Sequence, residues 1–401
     1  MRVLHTSDWH LGRQFHNVSL LEDQRHVLQQ LIERVRTEAC DVVLIAGDIY
    51  DRSVPPAEAV ALLNETLSTL CLDMGVAVVM ISGNHDGPER LGFGADLLQS
   101  AGLHIISDLD HITRPVVIER AGQSVHFYAI PFCTPERVRH QFQVPVHSFD
   151  AAHSYLVDEI RQHLAQDAPG TINVLLSHCF VGGALVSESE RPLSIGGADT
   201  VSWQPMTDFD YVALGHLHAP QFRGQEQIRY CGSLLKYSFS EVSQDKGVVI
   251  IDLLPGQPAQ IRTEALVAQR GMRIIEGTFD TIVAAAFDDP QSDDYLLIRL
   301  TDKTAILDAM GKLRGLYPNL LHLEKPGVMV DNPLGSLSKE QLKRSEFELF
   351  ADFFEQTLGE AMLPAQSEAL ARVIGALHQS ESRTSAPVEP GGASASPGEP
   401  S

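Results

Sequence analysis

The run Val42-Val43-Leu44-Ile45-Ala46-Gly47-Asp48 constrains this chain more than any other stretch. A short, unbroken apolar segment closed by a turn residue predicts a strand buried on both faces, which belongs in a sheet covered by other layers. Gly47 allows a sharp turn and a close backbone approach. Asp48 then stands at the carboxyl end of the strand, where open α/β sheets carry their functional groups. A carboxylate placed there can bridge two metal ions, provided that other strand ends supply more ligands.

Four further stretches do so. They are Asp8-Trp9-His10 behind an Arg2–Thr6 strand, Gly83-Asn84-His85-Asp86 behind Ala77–Ser82, His178 behind Ile172–Ser177, and Gly215-His216-Leu217-His218 behind Tyr211–Leu214. Each alone is ordinary. Asp-x-His, Gly-Asp and Asn-His-Asp are usually turns or caps, since Asn and Asp tolerate left-handed geometry. A lone histidine at a strand end is usually satisfied or exposed. His-x-His on extended backbone already puts both rings on one face. Five such stretches, each behind a predicted strand, point to a metal centre. Carboxylate, imidazole and one amide suit Mn²⁺, Fe²⁺ or Zn²⁺ better than Ca²⁺ or Mg²⁺, which favour oxygen shells. Two metals about 3.5–4 Å apart clamp the attacking and leaving oxygens of an in-line phosphoryl displacement, and a bridging carboxylate allows that separation.

Helical patterns alternate with these strands at Leu20–Glu38, Ala57–Leu70, Pro88–Ser100 and Asp150–Gln166. The alternation predicts an α/β chain with two sheets packed between helices. Val116–Glu119 and Val125–Ile130 form a hairpin about Gly122, and Val181–Ala198 reads as a loop. After Gly271 the pattern changes. Strands at Arg273–Phe279, Tyr295–Thr301 and Leu320–Glu324, with a helix at Thr304–Tyr317, suggest a small α/β accessory unit. A helix at Ser338–Leu358 follows, with Phe347, Phe350, Phe353 and Phe354 on an apolar face, then a helix at Ala365–His378. From Ser380 the chain is Ser, Pro, Gly, Ala and Glu, with nothing to bury, and is expected to be disordered.

A length of 401 residues exceeds one compact core. The net charge of -22 argues against a protein that coats nucleic acid, but not against one that acts on it through bound cations. Five scattered cysteines with no C-x-x-C pair argue against a thiolate zinc site and a disulfide framework, and read as reduced core thiols. No apolar run reaches the roughly 20 residues of a membrane span, and the N-terminus turns polar too soon for a signal peptide. The expectation is a cytoplasmic protein without membrane contact.

His5-Thr6-Ser7-Asp8-Trp9-His10-Leu11-Gly12, Gly47-Asp48-Ile49-Tyr50-Asp51, Gly83-Asn84-His85-Asp86, Tyr211 to His218, and Tyr230-Cys231-Gly232-Ser233 stand in the order that resembles the calcineurin-like metallophosphoesterase superfamily. Within it they are similar to the nuclease branch, which includes double-strand-break repair nucleases. The resemblance implies a two-sheet metallophosphoesterase sandwich flanked by helices, with a small α/β capping domain and C-terminal helices. The implied boundaries are 1–270 for the nuclease domain, 271–330 for a capping domain that contacts DNA, 331–379 for partner-binding helices and 380–401 for the tail. One metal would be held by Asp8, His10, Asp48 and His218, the other by Asp48, Asn84, His178 and His216. His85 would be the catalytic residue, stabilising the transition state or protonating the leaving oxygen, with Asp86 orienting it. Where archaeal and eukaryotic relatives carry a second histidine after Gly-Asp, this chain has Asp51, which is kept outside the ligand set. His5, His16 and His26 read as structural.

The implied cofactors are two divalent ions, Mn²⁺ by preference. The implied activity is a metal-dependent DNA nuclease, a double-strand exonuclease and a single-strand and hairpin endonuclease in repair, replication and recombination. The implied partners are DNA and a coiled-coil ATPase gripped by the Phe-rich helix. The helices at 57–70 and 88–100 would pair two copies into a homodimer within a heterotetramer. The alternatives are a phosphatase or small-molecule phosphodiesterase on the same scaffold, and a scaffolding subunit with a dead site.

Overall fold

The computed structural model describes residues 1–164, 170–190, 199–304, 306–325 and 361–384, with single positions at 347, 350, 351 and 354. Met1–Ile275, Val283–Ile298 and Asp308–His322 form one compact unit. Glu276–Ile282, Arg299–Leu307 and the described residues from Leu323 onward form another.

The first unit holds two six-stranded sheets. One runs in the order Gln260–Ala265, Gly247–Asp252, Arg2–Thr6, Val42–Ile45, Ala77–Ile81, Leu103–Ile106. The other runs Gln221–Arg223, Gln225–Tyr230, Tyr211–Gly215, Ile172–His178, Gln123–Ile130, Val116–Arg120. The period of two along Val42–Ile45 explains how they stack. Val42 and Leu44 enter a core shared with Phe127, Val174, Leu176 and Ala213 of the other sheet. Val43 and Ile45 face the opposite way, into a core with Val27, Leu28, Leu31 and Val35 of the helix Leu21–Thr37. Beyond the second sheet, Leu175, Val212 and Leu214 pack on Leu156, Val157 and Ile160 of the helix Phe149–Leu164. The layers are therefore helix, sheet, sheet, helix. Each buried Val, Leu or Ile contributes about 1.5–3 kcal/mol.

Strand direction collects the ligand motifs. Arg2–Thr6, Val42–Ile45 and Ala77–Ile81 are parallel, so Asp8, Asp48 and Asn84 leave the first sheet at one edge. Ile172–His178 and Tyr211–Gly215 are also parallel, pairing Gly215 with His178, so the histidines leave the second sheet together. Two sheets that pack against each other thus bring all five motifs to one rim.

Several elements differ from expectation. The helix after Pro56 runs Ala57–Ser68 and widens into a π-turn at Thr69–Asp73. The helix expected over Pro88–Ser100 is two four-residue helices, Pro88–Leu91 and Ala95–Leu98, parted at Gly92-Phe93-Gly94, where Gly94 turns left-handed (φ 75°). The strand Gln260–Ala265, unforeseen, lies at a sheet edge and alternates polar with apolar residues only weakly.

The expected helix Thr304–Tyr317 is only Ala309–Arg314, because Asp308 caps it and accepts the Gly311 N–H. A helix Phe279–Ala286 was not expected. Met272–Gly277, Tyr295–Leu300 and Leu320–Glu324 form a three-stranded sheet, close to the expected strands. The last described helix runs Pro364–Thr384, past Ser380, since Glu381 and Arg383 extend a formed helix at little cost. Most of the Phe-rich segment, part of the 181–198 loop and residues 385–401 lie outside the described residues. The five cysteines are free thiols. Among the described residues no helix is long and apolar enough to cross a membrane.

Candidate metal centre

The backbone changes hand where the strands end. Asp8 (φ 52°), His10 (φ 44°), Asp48 (φ 49°) and His216 (φ 107°) all have positive φ. For residues other than glycine this costs on the order of 1–3 kcal/mol each, and it persists where the surroundings enforce it. Here the loops enforce one another: Asp8 N–H donates to the Gly47 carbonyl (3.0 Å), His10 N–H to that of Asp48 (3.0 Å) and Leu11 N–H to that of Ile49 (2.9 Å). Gly47 has φ 93°, and a Cβ there would overlap the His178 ring. A Cβ on Gly83 would overlap the Asp48 carboxylate.

The side chains converge on Asp48. Its Oδ2 is 3.6 Å from His10 Nε2 and its Oδ1 is 3.6 Å from His178 Nε2, so each oxygen faces a different imidazole. His10 Nε2 meets His218 Nε2 at 3.1 Å. Asn84 Oδ1 lies 3.0 Å from His178 Nε2 and 2.9 Å from His216 Nδ1. The Asp8 carboxylate accepts the His216 N–H (3.0 Å) and the Ser7 hydroxyl (2.5 Å). Donor atoms of Asp8, His10 and His218 lie within 4.8 Å of one another, as do those of Asp8, Asp48 and His178. A third such group joins His10 and His85 to Asp51, the residue kept outside the ligand set.

This donor set fits divalent cations. Two carboxylates, four imidazoles and an amide oxygen face one another at short range, and the buried His10 Nδ1 makes no hydrogen bond. Burial pushes His10, His178 and His218 below the usual imidazole range and His216 down to about 3, so these rings are neutral and keep a lone pair for a metal. Burial and Asp48 push the Asp8 carboxyl well up. Burial opposes ionisation of Asp48 too, but its carboxylate is held low, in part by accepting the main-chain N–H of His85 (2.9 Å).

Ring orientation is set from behind. His178 Nδ1–H donates to the Ala46 carbonyl (2.8 Å), leaving Nε2 for the centre. His85 Nδ1–H donates to the Asp51 carbonyl (2.9 Å), and its Nε2 is 4.0 Å from Asp48 Oδ2. This corrects the expectation for Asp86. Its carboxylate accepts the N–H groups of Ile49 (3.1 Å), Tyr50 (2.9 Å) and Gly83 (2.8 Å), which clamps two loops together instead of orienting the His85 ring. Burial and Asp48 push its carboxyl up to about 7 despite those donors. The Asp51 carboxylate in turn accepts from Arg13 (3.0 Å).

Sequence reasoning did not find Ser189, Glu190, Glu241 or Lys246, which surround His218. They sit in loops without a motif, and nothing in their local sequence marks them. Of the histidines read as structural, His5 bonds the Tyr211 hydroxyl between the sheets (2.9 Å) and His16 stacks on His322 with ring centroids 5.3 Å apart.

A layered α/β fold with these donors at one rim is the architecture of a metal-dependent phosphoesterase. A family model described as calcineurin-like phosphoesterase matches residues 1–220, and one described as type 5 capsule protein repressor C-terminal domain matches 268–357. A Staphylococcus epidermidis protein, named as the SbcD component of the nuclease SbcCD, is 33% identical over 375 residues, 93% of this chain and 98% of that protein. Its namesake in Staphylococcus saprophyticus is 33% identical over 388 residues, 96% of this chain and 100% of that protein. The chain belongs to the calcineurin-like phosphoesterase family and, within it, groups with these SbcD components. Among solved structures, a dimetal phosphatase from Danio rerio is 11% identical with a TM-score of 0.41, over 67% of this chain and 97% of that one.

Proposed function

We propose that this chain is the nuclease subunit of an SbcCD-type complex and hydrolyses DNA phosphodiesters at a two-metal centre. The observation that carries the proposal is the convergence of seven ligand-type side chains from five strand ends around Asp48, in a chain 33% identical to named nuclease subunits along almost its whole length.

In this reading Asp8, His10, Asp48 and His218 hold one ion, and Asp48, Asn84, His178 and His216 the other. Bound there, divalent ions, Mn²⁺ by preference, supply the Lewis acidity that makes water a nucleophile near neutral pH and offset charge on the phosphate. The chain's own groups do the rest. Neutral, buried imidazoles keep their lone pairs available. The strained strand-end loops hold the donors in place before substrate arrives. His85, fixed by the Asp51 carbonyl, presents Nε2 to the reacting phosphate and delivers a proton to the leaving oxygen.

The assembly follows from the same kinship. The 271–330 region contacts DNA, and the Phe-rich segment of 347–358 grips the coiled coil of an SbcC-type ATPase. The helices of 57–70 and 88–100 pair two copies, making a heterotetramer that works in the cytoplasm in repair, replication and recombination. An excess of acidic residues leaves this chain a weak DNA binder alone, so the ATPase supplies much of the affinity.

The test is cleavage of hairpin and linear duplex DNA with and without the ATPase, in Mn²⁺ and in Mg²⁺, beside a nucleotide monoester. The expected result is Mn²⁺-dependent cutting of both DNAs, raised by the ATPase. Faster turnover of the monoester than of either DNA would favour a phosphatase instead.

A further inference from the structure

We propose that Glu241, locked in place by Lys246, is the positioning residue that fixes His218 as a metal ligand. This rests on the two-metal reading above and adds a residue to it.

Glu241 ends the short 3-10 helix Phe239–Glu241, on the connection that leaves the strand Gln225–Tyr230 of one sheet and enters Gly247–Asp252 of the other. Its side chain is fully buried, and both oxygens are engaged. Oε1 accepts from the Ser189 hydroxyl and from His218 Nδ1–H (3.2 Å). Ser189 Oγ is itself 2.7 Å from that ring nitrogen, so the hydroxyl accepts from the imidazole and donates to the carboxylate. Oε2 accepts from Lys246 Nζ (2.6 Å) and Tyr237 N–H (3.3 Å).

Lys246 makes the arrangement specific to His218. Its ammonium donates to Glu241 and also to the main-chain carbonyl of His218 (2.8 Å). One cation therefore ties the backbone of the ligand to the carboxylate that holds its ring. With the proton pinned on Nδ1, Nε2 carries the lone pair and faces His10 Nε2 at 3.1 Å. His178 and His85 are anchored differently, by backbone carbonyls of Ala46 and Asp51. A carboxylate partner makes an imidazole more basic than a carbonyl partner does, and loss of such a partner weakens metal binding by about 10–100-fold. Burying a carboxylate beside a ligand is costly unless it is paired, and Lys246 provides the pairing.

The test uses the full chain stripped of metal. Removing Glu241 alone would leave the Lys246 ammonium buried and unpaired, so the variant is Glu241→Gln with Lys246→Met. Calorimetric titration with Mn²⁺ should show two ions in both proteins, one of them about 10–100-fold weaker in the variant. Independently of any variant, ¹⁵N-histidine spectra of the metal-free wild type should show His218 protonated at Nδ1. Unchanged affinity for both ions, or a His218 proton on Nε2, would overturn the assignment. Wild-type protein that takes up fewer than two ions would instead overturn the two-metal reading beneath it, a result that needs no variant and so stands apart.

Discussion

His85 shows how much a single residue's role depends on what stands behind it. Its ring is held through Nδ1 by a backbone carbonyl, and its Nε2 approaches Asp48 without belonging to the proposed set of seven ligands. His85→Gln should therefore keep both ions while single-turnover cleavage falls by about 10²–10⁴. Loss of an ion in metal analysis of that variant would make His85 a ligand instead. The ligand-type residues were legible in the sequence because each follows directly on an apolar strand. Asp86 was misread because its motif neighbour in the chain, His85, is not its partner in space; besides Gly83 it holds Ile49 and Tyr50, 37 and 36 positions away. Glu241 was invisible for the same physical reason: it meets His218 through a connection that runs from one sheet to the other.

At the scale of elements, the turn after Val42–Ile45 is where sequence and site meet. Gly47→Ala meets two obstacles, a φ of 93° and a Cβ inside the His178 ring. The expected outcome is a loss of about 1–3 kcal/mol in urea denaturation, together with reduced metal uptake, because His178 must move aside. Wild-type stability and stoichiometry in that variant would show that the turn is freer than its geometry. Strands such as Val42–Ile45 were readable because both faces are covered, which forces an unbroken apolar run. Elements near solvent were less so. The stripe across 88–100 is broken by Gly92 and Gly94, and the Asp308 cap trims the helix expected over 304–317. Caps and left-handed glycines act over one or two residues, below the reach of hydrophobic periodicity.

For the whole molecule, buried histidines make stability depend on acid. Burial lowers His5 to about 3 and His153 to about 4, against an ordinary value near 6.5. Both groups bind fewer protons when folded than when unfolded between those values. Their stabilising share is therefore complete above pH 6.5 and is lost as pH falls toward 4 and then 3. In metal-free protein, moving from pH 7 to pH 5 should cost on the order of 2 kcal/mol from each group. Asp86, raised to about 7, acts in the opposite sense over the same range, so the check is a difference between urea midpoints of wild type and His153→Gln: the variant should lose less stability than wild type between pH 7 and pH 5, and an identical pH dependence would contradict the assignment.

In the proposed phosphodiesterase centre Asp48 serves both ions. The most direct measurement is the Mn²⁺-dependent cleavage rate of hairpin DNA by Asp48→Asn, assayed with the ATPase partner beside the wild type. Removing the shared charge should lower the rate by at least about 10³-fold, equivalent to roughly 4 kcal/mol of lost transition-state stabilisation, in a protein that still folds. Cleavage at the wild-type rate would contradict it.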